Sequence, residues 1–215
     1  MDKEFWLEKW QKNEIGFHNS DAHPLLVTHF QKLGLAPGSR VFLPLCGKTL
    51  DIGWLLTQGF RVCGAELSEE AVIQLFAQLE LEPEIEQLNT LRRYSSDGLD
   101  IFVGDVFHLT AEMLGAIDAI YDRAALVALP ENMRARYAGH LTTIAKTAPQ
   151  LLISFDYDQN LLPGPPFRVG PDEVATLYGT QYVLNLLDSV AVEGGLKGKC
   201  PAEEQVWLLQ PAKSA

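Results

Sequence analysis

The sequence predicts a doubly wound, mostly parallel α/β fold. An antiparallel hairpin closes its C-terminal edge and a helical extension precedes it. Three observations carry this. From Arg40 onward, short apolar runs alternate with amphipathic stretches. That is the pattern of strands joined by crossover helices, with helices on both faces of a parallel sheet. The last two strand-like runs have no helix between them, which marks an antiparallel pair. The first 39 residues stand outside the alternation and carry aromatic residues at helical spacing.

Taken in order, "EFWLEKWQKNEIGFH" brings Phe5, Trp6 and Trp10 close together, with Trp6 and Trp10 on one helical face at i, i+4. "HPLLVTHFQKLGL" is a second helix, ended by Gly34 and Pro37. Residues 1–39 are expected to lie over the sheet, and residues 1–20 to act as a lid. "VFLPLC" (41–46) is a buried strand. "TLDIGWLLTQG" is a helix with apolar Leu50, Trp54 and Leu55, closed by Gly59. "RVCGAE" (61–66) is the second strand. "SEEAVIQLFAQL" opens a helix with Ser68 as N-cap and acids in its first turn. "LDIFVGD" (99–105) is the third strand, paired with "LRRYS" (91–95) through Ser96-Asp97-Gly98. "AIDAIYD" (116–122) is the fourth strand, followed by a helix over 130–146 with Pro130 near its start. "QLLISFDYD" (150–158) is the fifth, and "PDEVATLYG" (171–179) a short helix. "TQYVLNLLDSVAVE" and "EEQVWLLQP" form the terminal pair. The proline cluster "LLPGPPF" reads as a loop. One domain over 1–215 is expected, its sheet core spanning 40–215.

The chain has 215 residues, enough for a full hydrophobic core, and a formal net charge of -11. Such a surface repels phosphate backbones, so nucleic acid is not an expected partner. No run of 18 apolar residues and no signal peptide is found, so a cytoplasmic protein without membrane contact is expected. Cys46, Cys63 and Cys200 lack metal-ligand spacing and read as reduced, mostly buried thiols. The five histidines share no spacing that would hold a metal.

The stretch "LPLCGKTLD" (43–51) ends like a phosphate loop at Gly47-Lys48-Thr49. A Walker A loop needs a glycine five residues before the final Gly-Lys, and position 42 is Phe. The G-x-G-x-x-G fingerprint is absent too, which speaks against a nicotinamide-dependent oxidoreductase. What remains is a strand, a tight turn at Gly47 and a helix. Glu66 follows 19 residues later, at the end of the second strand. Ligands bind beyond the carboxyl ends of such strands, and an acid there bonds vicinal ribose hydroxyls. The combination suits an adenosyl ligand without phosphates, of which S-adenosylmethionine is the commonest. Alternatively, Glu66 caps the entrance of the "SEEAV" helix. Asp105, at the end of the third strand, can meet the adenine amino group, with Val106 packed on the ring; a plain turn aspartate is the alternative. Asp122 and Arg123 follow the fourth strand, where reacting groups are placed. A structural ion pair between them is the other reading.

"FWLEKWQKNEIGFH", "PLCGKTLDIGWLLTQGFRVCGAELSEEAV", "GDVF" and "DRAALVALP" together resemble the thiopurine S-methyltransferase family, in order over nearly the whole chain. The resemblance implies the seven-stranded, Rossmann-like class I methyltransferase sheet. It implies methyl transfer from S-adenosyl-L-methionine to an aromatic or heterocyclic thiol, a small-molecule partner, by a protein expected to act as a monomer. By matching motif, it also implies that Trp10 covers the cofactor, Leu45 lines its methionine side and Glu66 holds the ribose. Asp105 and Val106 would flank the adenine. Arg123 would reach both cofactor and reacting pocket, where it orients the acceptor, and Phe17 would lie on the substrate side. Family members often carry an arginine before the last strand. Here that segment offers only Lys197 and Lys199, which leaves a second cationic contact open. His18 as a general base, selenium or tellurium acceptors, and a non-catalytic S-adenosylmethionine-binding regulator are further alternatives.

Overall fold

The structure, a computed structural model, describes residues 3–12, 14 and 21–212. Its strands are β1 (Arg40–Pro44), β2 (Arg61–Glu66), β3 (Glu84–Leu88), β4 (Leu91–Ser96), β5 (Leu99–Val103), β6 (Ala119–Arg123), β7 (Gln150–Tyr157), β8 (Tyr182–Ala191) and β9 (Ala202–Pro211). Its helices are α1 (Lys3–Gln11), α2 (Pro24–His29), α3 (Asp51–Thr57), α4 (Glu69–Gln78), α5 (Ala111–Leu114), α6 (Glu131–Ile144) and α7 (Pro171–Tyr178). The strands form one sheet in the order β3-β4-β5-β2-β1-β6-β7-β9-β8.

From β5 through β2, β1 and β6 to β7 every pairing is parallel. Their carboxyl ends therefore share one edge of the sheet. β9 inserts antiparallel between β7 and β8, which makes the expected C-terminal hairpin. Together with β5, β2, β1, β6 and β7 these are the seven expected strands. Two more extend the β5 side. β4 pairs antiparallel with β5, as the turn at residues 96–98 predicts, and β3 pairs antiparallel with β4. The sequence gives no sign of β3. Its residues 84–87 are all exposed, and its ladder with β4 and Leu88 packed against the core hold it.

Side chains alternate between the faces of the sheet. Phe42, Cys63, Ile120, Leu152 and Trp207 pack with residues of α6 and α7. Val41, Leu43, Val62, Tyr121, Leu151 and Val206 pack with residues of α2, α3 and α4 on the other side. Ser68 caps α4 by accepting the Ala71 N–H. The second N-terminal helix continues as a 3₁₀ turn to Leu33 and stops at Gly34, which adopts φ 64°. All three cysteines are free and buried, and burial pushes the Cys63 thiol up to about 12.

Candidate functional site

A cavity of about 1110 Å³ opens over the shared carboxyl edge. Its walls come from the ends of β1, β2, β6 and β7, from β9, from the loops after β5 and β6, and from α1. The volume lies just above the usual range of small-molecule sites, about 300–1,000 Å³.

The turn after β1 forms one wall. Leu45 leaves the strand with φ 48°, a left-handed conformation uncommon for a non-glycine residue. This bends the chain over the edge, where the Cys46 N–H bonds back to the Ala65 carbonyl. Gly47 continues at φ 54°. A Cβ at Gly47 would lie 2.9 Å from Cζ2 of Trp10, so the glycine is needed for both its backbone and the indole resting on it. Trp10, 6% exposed, thus rests on the turn itself. Gly47→Ala is expected to cost about 1–3 kcal/mol through left-handed strain and overpacking. It should also loosen α1, read as faster amide exchange over residues 3–12. Unchanged exchange would mean that the indole contact does not hold the helix.

Glu66 is buried at the end of β2. One carboxylate oxygen accepts the Gly47 N–H at 2.7 Å and the other the Ser68 N–H at 2.8 Å. Burial raises its pKa, opposed by the N–H groups of Ser68, Gly47 and Leu67. The carboxylate therefore ties the β1 turn to the α4 entrance, which is the capping alternative, while it also faces the cavity. The nearby Lys48 ammonium donates to the Gln74 side-chain oxygen at 2.8 Å.

Asp105 realises the turn reading by accepting the Phe107 N–H. It also pairs with Lys3 of α1 at 2.7 Å, which tethers the covering helix. Burial raises the Asp105 carboxyl, yet Lys3 and the Phe107 N–H outweigh it and hold the group below the usual range. Val106 is buried and lines the cavity. Phe17 and His18 lie outside the described residues.

At the end of β6, Arg123 lines the cavity and its guanidinium makes no hydrogen bond or ion pair among the described residues. The ion pair with Asp122 is not formed. Neighbours on a strand point to opposite faces; Asp122 is fully buried on the other side, where it accepts the Leu126 N–H at 3.1 Å and the Tyr137 hydroxyl at 2.8 Å. Ala124 then turns left-handed at φ 60°, as Leu45 does on the adjacent strand.

Burial raises the Asp122 carboxyl to about 6. A raised folded-state pKa favours the protonated fold. This contribution is full below the unfolded value and lost as pH rises through about 6. Asp122→Asn should therefore remove a stability loss on the order of 3 kcal/mol between roughly pH 4 and 7. Urea titrations at each pH check this, and an identical slope in both proteins would place the titration elsewhere.

Sequence reasoning missed a polar network on the cavity floor. The Tyr121 hydroxyl donates to Asp51 Oδ2 at 3.0 Å, and Asp51 Oδ1 accepts the His23 backbone N–H at 2.7 Å. His23 Nε2 stands 3.3 Å from Glu204 Oε1 on β9. Beyond this floor the cavity becomes apolar, with Ile153, Phe155, Val192, Leu196 and Pro166 in its walls. Lys197 supplies a cation there, its ammonium donating to the Pro165 carbonyl at 2.6 Å. Burial, then the nearby Lys199 and Lys9, lower its pKa.

The thiopurine S-methyltransferase (TPMT) family model matches residues 1–210. The thiopurine S-methyltransferase of Xanthobacter autotrophicus is 57% identical over 213 residues, 99% of this chain and 100% of that protein. That of Teredinibacter turnerae is 53% identical over 97% of each chain. Among solved structures, the Burkholderia thailandensis 1,6-didemethyltoxoflavin N1-methyltransferase, which holds S-adenosylhomocysteine, superposes with a TM-score of 0.66. Its identity is 15%, over 97% of this chain and 87% of that one, a likeness of fold.

Proposed function

The chain belongs to the thiopurine S-methyltransferase family of S-adenosylmethionine-dependent enzymes, and we propose that it methylates aromatic and heterocyclic thiols bound against Arg123. The observation that carries this acceptor reading is the guanidinium of Arg123. It has no partner among the described residues and stands between the Gly47 turn and the apolar chamber. A charged group left open in a cavity fits an anionic ligand, and guanidinium stays charged at any working pH.

The residues present fit the methyl donor. Glu66 offers a buried carboxylate whose oxygens are already aimed by two backbone N–H groups, so further lone pairs remain for ribose hydroxyls. Leu45 would line the donor's methionine portion, and Trp10, whose indole rests on the Gly47 turn, would stand beside it. Val106 packs on the adenine and Asp105 meets its edge. When bound, the donor supplies an electrophilic methyl carbon on a sulfonium that leaves readily. The protein's own task is then orientation, which accounts for roughly 7–11 kcal/mol of such barriers. Arg123 holds the acceptor anion in line, and the apolar walls exclude water. An aromatic thiol ionises near neutrality, below the roughly 8.5 of cysteine, so no strong base is required. Phe17 remains assigned to the substrate side by resemblance alone.

A panel of thiol, selenol and oxyanion-bearing acceptors with isotopically labelled donor tests the proposal by scoring methylated products. Methylation of aromatic thiols well above the other classes is the expected result. Preference for selenium or tellurium acceptors would redirect the reading, and binding of donor without turnover of any acceptor would favour a regulator. Calorimetry should register S-adenosylhomocysteine and no magnesium-dependent binding of ATP.

A further inference from the structure

We propose that Glu204 is a specificity-determining residue of the acceptor chamber: it accepts a ring N–H, so the favoured acceptors are thiolated nitrogen heterocycles with a donor N–H. This rests on the thiol-methylation reading above and deepens it.

Glu204 lies on the face of β9 that carries Val206 into the apolar core, and it lines the cavity. Its side chain is 23% exposed, and His23 stands on one side of it. The His23 Nδ1 accepts the Leu25 N–H at 3.3 Å, which leaves Nε2 as the ring nitrogen facing Glu204. Nε2 stands 3.3 Å from Glu204 Oε1. The ring is itself fixed, being nearly fully buried with its backbone N–H on Asp51, which Tyr121 braces in turn. Among the described residues no donor meets the second oxygen of Glu204, which stays available to a ligand.

The chamber is therefore two-ended. Arg123 stands on β6 and Glu204 on β9, with only β7 between them in the sheet. Arg123 is level with Ile153 and Glu204 with Phe155, so two strand spacings and two residues of rise separate them by about 12 Å, and Ile153 and Phe155 of β7 give an apolar wall along that span. A flat ring fits there with its sulfur end toward the guanidinium and its N–H edge toward the carboxylate. A simple aryl thiolate satisfies Arg123 but offers Glu204 nothing except an exposed anion. A heterocycle with a ring N–H gives Glu204 a charge-assisted bond.

The test compares 6-mercaptopurine, which carries ring N–H groups, with thiophenol, which carries none, in the wild type and in Glu204→Gln. Glutamine keeps the shape and an oxygen for His23 but loses the charge. The expected result is a fall of about tenfold or more in kcat/KM for 6-mercaptopurine, with thiophenol unchanged or improved. Calorimetry of 6-mercaptopurine on the protein saturated with S-adenosylhomocysteine should report a matching loss of affinity without turnover. The ratio between the two acceptors in one preparation cancels any change in folded fraction. An unchanged ratio, with thiophenol still methylated, would overturn the role of Glu204 and leave the thiol reading standing. A wild-type protein that methylates neither acceptor would overturn both.

Discussion

Glu66→Gln is expected to lower folding stability and donor affinity together. The carboxylate spans two backbone donors, Gly47 and Ser68, at 2.7 and 2.8 Å. A glutamine has one oxygen. Its amide nitrogen then faces a buried backbone N–H, donor against donor, and leaving such a group unsatisfied costs about 1–3 kcal/mol. If the carboxylate also holds the ribose, as proposed, losing that charged bond costs a further 1.5–3 kcal/mol or so in donor binding, roughly ten- to a hundredfold in affinity. Thermal unfolding without ligand and calorimetry with S-adenosylhomocysteine separate the two effects. Lower stability with full affinity would leave Glu66 as a tie between turn and helix. Full stability with lower affinity would mean that the backbone bonds carry little of the fold. From sequence alone, ribose binding and helix capping look like competing roles for Glu66. The structure shows the carboxylate tying the Gly47 turn to the α4 entrance while facing the cavity, so bracing the fold does not exclude the proposed hold on the ribose.

What could be read from the sequence was local. Apolar runs bounded by turns located the central strands, and Ser68 announced the start of α4 by a cap that acts within three residues. The turn at residues 43–51 was legible because an absent glycine at position 42 excludes one ligand and Gly47 with Glu66 suggests another. β3 was not legible, since it buries almost nothing and exists through its neighbour. The floor network was not legible either. His23 meets Asp51 across 28 residues and Tyr121 meets Asp51 across 70, and no spacing rule relates such positions. Two signals were nevertheless available. Alternation along β6 separates Asp122 from Arg123 onto opposite faces, which precludes their ion pair. Likewise Glu204 shares its strand face with Val206 and Leu208, so a lone acid on an apolar face was already a candidate for a site.

Arg123→Lys tests the other end of the chamber and should have the larger effect on turnover. The substitution keeps the charge but replaces a planar fork by a single ammonium, which is not conservative where two oxygens or an extended anion are held. Asp122 is committed to Leu126 and Tyr137 on the far face, so the variant breaks no ion pair and the fold should tolerate it. If Arg123 orients the acceptor anion, its contribution grows as sulfur and methyl carbon come into line, and it appears in kcat/KM more than in donor affinity. The expected loss in kcat/KM for thiol acceptors is about tenfold or more, roughly 1.4 kcal/mol or above. Affinity for S-adenosylhomocysteine should fall less. Both are measured on one preparation, so a common factor from misfolding would show in each. An equal fall in the two would assign the guanidinium to the donor's carboxylate instead. No change in either would remove Arg123 from the chemistry, because the structure offers it no other partner among the described residues.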